Sequence, residues 1–147
     1  MAEKKLSDLA QFHEFCTRGV DDEVKAMVKA KKSLLNTAGD LGNTGLHWAS
    51  SGGHLAVVKA LLEAKASVNA QNAVKDTPLH LAAWRDQVEV IEALVAAKAD
   101  KGLRNQDGKT PLDLGRSAKA RDKLINISKA EAKSSIVVTN DEDSDTD

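Results

Sequence analysis

Thr77-Pro78-Leu79-His80-Leu81-Ala82 decides the fold, because the chain writes it three times at a fixed distance. Thr44-Gly45-Leu46-His47-Trp48-Ala49 lies 33 residues before it, and Thr110-Pro111-Leu112-Asp113-Leu114 lies 33 residues after it. A Thr in front of a Pro opens a helix: its hydroxyl caps a free backbone N–H, and Pro brings φ already set. Downstream of two copies the apolar residues recur at i, i+3, i+4, as Val58, Leu61, Leu62 and as Ile91, Leu94, Val95. That spacing is one face of a second helix. Between the two lie small pairs, Ala49-Ser50 and Ala82-Ala83, where the helices approach closely.

Working outward, an earlier and more divergent copy reads Phe12-His13-Glu14-Phe15-Cys16, then Gly19, Val24, Met27 and Val28. Its offset is 34, so one residue is inserted near Lys31–Leu35, and it lacks the Thr-Pro start. The last copy is short, running to Leu124-Ile125 and ending near Ile127. Asp86 stands where the first two copies have Gly19 and Gly53.

A 33-residue period on a T-P-L-H-x-A core resembles the ankyrin-repeat family over residues 6–127. The resemblance implies an all-α solenoid of about four helix-turn-helix repeats, the last shortened, with short β-turn tips. The repeats fall at about 6–38, 39–71, 72–104 and 105–127, within a domain of residues 1–128. One helix pair cannot bury its own apolar face, so neighbours must stack. In this family a His at the position of His47 and His80 ties the helix start to the next turn. The family also places Gly after the second helix, where φ is positive; here Lys65 and Lys98 occupy those places. A non-Gly residue there costs roughly 1 kcal/mol. More narrowly, Asn72-Ala73-Val74-Lys75-Asp76-Thr77, Leu81-Ala82-Ala83-Trp84 and the acidic end look similar to the ankyrin half of the osteoclast-stimulating factor family. The early end of the last repeat is similar to the small, free-standing myotrophin-like proteins, which implies binding to actin capping protein.

Composition excludes several classes. Only 3% of the 147 residues are aromatic and there is no Tyr, while the apolar residues are mainly Ala, Leu and Val, which suits close-packed helices. The formal charge is −1, but Asp141, Glu142, Asp143, Asp145 and Asp147 crowd the last seven residues. Residues 1–140 hold 21 basic and 17 acidic side chains, too weak a surplus for a nucleic-acid footprint. Residues from 129 to 147 lose the periodicity and read as a separate acidic, disordered tail. Within it Thr139 and Ser144 each precede an acidic residue by three positions, a context for an acid-directed kinase. With one cysteine no internal disulfide forms, and MAEKKLSDLA has no apolar run. The expectation is a monomer in the cytosol, with the nucleus left open, and no membrane partner.

The repeat register removes most candidates for chemistry. His47 and His80 sit about one helix spacing apart, too far to share a metal ion. His13 and His54 read as scaffold, and Cys16 reads as a packed thiol. No P-loop, GxGxxG or HExxH occurs. Neither catalysis nor a metal or cofactor is expected, which leaves a protein-binding module. Trp48 lies two residues past Leu46 and Trp84 lies five past Leu79, so both project from one helical face and are expected to form a shared aromatic patch. The other contact candidates are Leu41, Asn43, Val74, Asp76, Asp107 and Lys109 at the turn tips, with Ser51 and Arg85 on the first helices.

Overall fold

The computed structural model describes residues 7–125. Among the described residues eight α-helices follow one another in antiparallel pairs: α1 (Asp8–Arg18) with α2 (Asp21–Ala30), α3 (Gly45–Gly52) with α4 (Leu55–Glu63), α5 (Pro78–Trp84) with α6 (Val88–Ala96), and α7 (Pro111–Leu114) with α8 (118–125). No strand occurs among the described residues. The first helices α1, α3, α5 and α7 pack in one row and α2, α4 and α6 in a second. The acidic end, with Thr139 and Ser144, lies outside the described residues, as does Ile127.

Each Thr does what its position predicts. The Oγ1 atoms of Thr44, Thr77 and Thr110 accept from the backbone N–H of His47, His80 and Asp113 at 3.4, 3.2 and 3.3 Å. The third-position side chain answers. Thr44 N–H donates to His47 Nδ1 at 3.0 Å, Thr77 N–H to His80 Nδ1 at 3.1 Å, and Thr110 N–H to Asp113 Oδ2 at 2.9 Å. This is a capping box with His in the usual Glu place. Accepting at Nδ1 puts the imidazole proton on Nε2, which donates to the next turn: His47 to the Asp76 carbonyl at 2.9 Å and His80 to the Lys109 carbonyl at 2.8 Å. Asp113 completes the same cap but has no proton to pass on.

The core runs unbroken through the repeats, from Phe12, Cys16 and Val24 through Leu46, Val58 and Leu61, Leu79, Ile91 and Leu94, to Ala120 and Leu124. The small pairs are fully enclosed, with Ala49, Ser50, Ala82 and Ala83 all 0% exposed. Gly45 replaces the Pro of the later repeats for a packing reason. A Cβ there would sit 2.8 Å from the Phe12 ring and 2.9 Å from Cys16 Sγ.

The turns between pairs form a second ladder. Ala73 N–H donates to the Leu41 carbonyl at 3.0 Å, and Gln106 N–H donates to the Val74 carbonyl at 2.8 Å. At the opposite edge, His54 Nε2 meets the Thr17 carbonyl at 2.7 Å, and Gln87 Nε2 donates to the Ser51 carbonyl at 3.1 Å. Lys65 and Lys98 adopt φ of 75° and 73°, as the family position requires, and Asp86 has φ of 62° where Gly19 and Gly53 have 78° and 74°.

Candidate binding surface

The row of first helices and the turn tips in front of it make one face of the solenoid. Among the described residues, three of the four exposed large apolar side chains lie on it: Leu41 is 72% exposed, Val74 44% and Trp84 51%. Leu41 and Val74 hold equivalent places on successive tips, joined by the backbone ladder just described. Lys75 and Leu41 both have positive φ, so the tips are tight turns that push these side chains outward.

The two tryptophans do not form one patch. Trp48 is half-buried and leans toward α1, lining a cavity with Leu9, His13, Gly39 and Asp40. Trp84 ends α5, and its ring carries Arg116 of the following repeat at 5.2 Å, a cation–π contact. Among the described residues no ring contact joins the two. A shared helical face allows a side chain to lean toward either neighbouring repeat, which register alone does not decide.

Other expected contact residues divide into scaffold and surface. Asn43 is withdrawn from the surface: it is 6% exposed, and its Oδ1 accepts from Asn72 Nδ2 at 2.9 Å. Asp76 is half-buried and does the same for the next turn, accepting from Asn105 Nδ2 at 2.9 Å. Both lock adjacent tips together. Ser51 is half-buried, its carbonyl holding Gln87. Arg85, Asp107 and Lys109 are exposed.

Burial pushes the Cys16 thiol up to about 12, so it is protonated at neutral pH and inert as a nucleophile. Burial holds His47 below the ordinary imidazole range, outweighing the opposite pull of the Asp76 carbonyl. Burial likewise lowers His13, against a backbone bond at Thr37 and the charge of Asp40. No group of three or more His, Cys, Asp or Glu among the described residues is placed to hold a metal ion, and no described helix is long and apolar enough to cross a membrane.

His13 departs from the other scaffold histidines. Its position matches His47, but the residue three before it is Ala10 inside α1, not a capping Thr, because α1 starts a turn earlier on Ser7. His13 is 8% exposed, and its Nε2 has no hydrogen-bond partner. The signal was present in the missing Thr of the first repeat.

A sequence model of the family described as ankyrin repeats (many copies) matches residues 12–62 and 46–95. Palmitoyltransferase AKR1 of Saccharomyces cerevisiae is 42% identical over 65 residues, which are 43% of this chain and 8% of that protein. Palmitoyltransferase AKR1 of Naumovozyma castellii matches with the same identity over the same shares. The chain therefore spans 8% of the length of these curated relatives. These findings carry the resemblance as far as the ankyrin repeats and to neither of the narrower groups. With the family match taking in more than half of its length, the chain belongs to the ankyrin-repeat family.

Proposed function

We propose that this chain is a non-catalytic protein–protein interaction module that binds a partner across its first-helix face and turn tips. The observation that carries this reading is the exposure of Leu41, Val74 and Trp84 on that one face. Exposed apolar side chains gathered on one side mark an interaction site, and a large aromatic is the usual anchor. Ankyrin repeats generally mediate protein–protein interaction, which agrees. The palmitoyltransferase activity named for the two relatives stays with them, since the likeness is confined to a small part of their length. The reading includes a monomer working in the cytosol, with residues 129–147 as a separate acidic segment. An adaptor role of the osteoclast-stimulating factor kind is the narrower form of the same proposal.

The test is partner capture by the intact chain against Leu41→Asp, Val74→Asp and Trp84→Ala, singly and combined. Combined loss of capture with unchanged helical circular dichroism supports the reading. Retained capture by the triple variant refutes it.

A second reading is a structural or chaperone-like subunit or regulator of a larger assembly, held through the fourth repeat, for example by myotrophin-like binding to actin capping protein. Ile125, 44% exposed beside Leu112 and Leu124, favours it. Loss of capture on Ile125→Asp alone would select this reading over the first.

A further inference from the structure

The charge of this chain is unevenly placed. Residues 98–125 hold eight basic and four acidic side chains, whereas residues 7–97 hold nine basic and eleven acidic. The basic surplus of the described residues therefore sits at the fourth repeat. An apolar opening lies at the same end. α7 and α8 are the last pair among the described residues, and a cavity of about 240 Å³ is lined by Lys101, Thr110, Leu112, Leu124 and Ile125. Ile125 is 44% exposed and Leu112 is half-buried. Cations flank the opening: Lys101 is in its wall, Lys109 adjoins Thr110, and Arg121 precedes Ile125 by one turn of α8. Arg121 also lies against Gly115, and the neighbouring Arg116 stands over Trp84, so the basic surface continues to that exposed ring.

The sequence past Ile125 carries the complement of both features. Residues 126–147 contain one run of three apolar residues, Ile136-Val137-Val138, and the acidic run of Asp141, Glu142, Asp143, Asp145 and Asp147 follows it closely. We propose that residues 136–147 dock on the fourth repeat of their own chain, with Ile136-Val137-Val138 against Leu112 and Ile125 and the acidic run on the surrounding Arg and Lys side chains. Ten residues separate Ile125 from Ile136. A spacer of that length spans at most about 35 Å, which is several helix spacings. The tether holds the segment near the surface at an effective concentration on the order of 1 mM, so weak contacts suffice. Exposed ion pairs contribute little singly, so the apolar run is the anchor and charge selects the end of the solenoid. Two copies of the chain joined through this same face would set one basic surface against another, which disfavours that occupant. Docked there, the segment covers Ile125, and capture of a partner through the fourth repeat requires its release.

The test places a nitroxide label on Thr146→Cys in the intact chain; Cys16 is buried with its thiol protonated and does not compete. Line broadening of the backbone amides is read by nitrogen-15 spectroscopy at low salt. A reference chain carries Ile136→Ser, Val137→Ser, Val138→Ser, Asp141→Asn, Glu142→Gln, Asp143→Asn and Asp145→Asn, and reports the broadening that the tether alone produces. All of these substitutions lie outside the repeats, and helical circular dichroism checks that the fold is unchanged. The expected result is broadening in residues 101–125 at least about twofold above the reference, with no excess in α1 and α2. Neutralising the acidic run alone lowers the excess, as does 1 M salt, where the screening length falls to about 3 Å. Broadening equal to the reference, an excess spread evenly over all four repeats, or an excess untouched by neutralising the acidic run overturns the proposal. An excess that grows with protein concentration assigns the segment to a second copy and overturns it as well. No partner protein is present, so failure here leaves capture through Leu41, Val74 and Trp84 standing as a separate result.

Discussion

His13 and His47 hold the same place in consecutive repeats and end in different states. His47 sits three residues past a Thr cap, accepts at one nitrogen, donates at the other, and is 0% exposed. His13 sits inside a helix that began a turn earlier, and its Nε2 is buried without a hydrogen-bond partner. In an interior repeat the histidine belongs wholly to the scaffold, because it closes the Thr cap of its own helix and bonds the turn ahead. In the first repeat Ala10, inside α1, stands where the capping Thr would be, and the same residue type is left with an unpaired ring nitrogen.

The comparison breaks or holds on unfolding midpoints. His80→Ala removes two buried hydrogen bonds, leaves the Lys109 carbonyl unpaired, and opens a void, so a loss of about 3 kcal/mol is expected in urea unfolding. His13→Ala deletes a ring already short of a partner and is expected to lose about 1 kcal/mol. Equal losses for the two would end the distinction. Acid sharpens it further. The folded state holds both His13 and His47 below 6.5, so it favours the neutral rings. Their contribution is therefore complete above pH 6.5 and is lost as pH falls through the lower folded values, since the unfolded chain then binds more protons. His13→Gln, measured from pH 7 down to pH 5, should show a shallower decline than the parent chain.

Ser50 offers a contrast of the same kind at a smaller scale. It is equivalent to Ala83, fully enclosed, and its Oγ has no partner. Ser50→Ala is expected to raise stability by about 1 kcal/mol, read as a higher urea midpoint. The smallest effect belongs to Lys65 and Lys98. Glycine holds the same left-handed φ without the roughly 1 kcal/mol strain of a lysine, and returns part of that through its freer unfolded chain. A net gain of about 0.5 kcal/mol for Lys65→Gly or Lys98→Gly is expected by thermal melting.

The fold was legible because its signals are local and repeated. The Thr caps, the small pairs and the i, i+3, i+4 stripes each follow from backbone geometry, and three copies in register leave no second arrangement. The strained lysines were legible for the same reason. The site was less so. Asn43 looks like a free polar residue on a tip, yet bonds across the repeat to Asn72, a pairing 29 residues away that no local pattern marks. Trp48 and Trp84 share a helical face, but neighbouring repeats draw them apart: α1 leaves room beside one, and Arg116 covers the other. Such choices depend on what the adjacent repeat places opposite, which a single register does not contain.

Asp113 carries a consequence for the direction in which this solenoid can grow. Each of His47 and His80 hands a proton forward to the carbonyl of the following turn. Bonds from Thr110 keep the Asp113 carboxyl below the usual carboxylate range, so it stays ionised and has none to hand. A fifth turn arriving there would set carbonyl lone pairs against carboxylate lone pairs. One acidic side chain thus interrupts, at α7, the series of histidine hydrogen bonds that ties each helix start to the turn ahead.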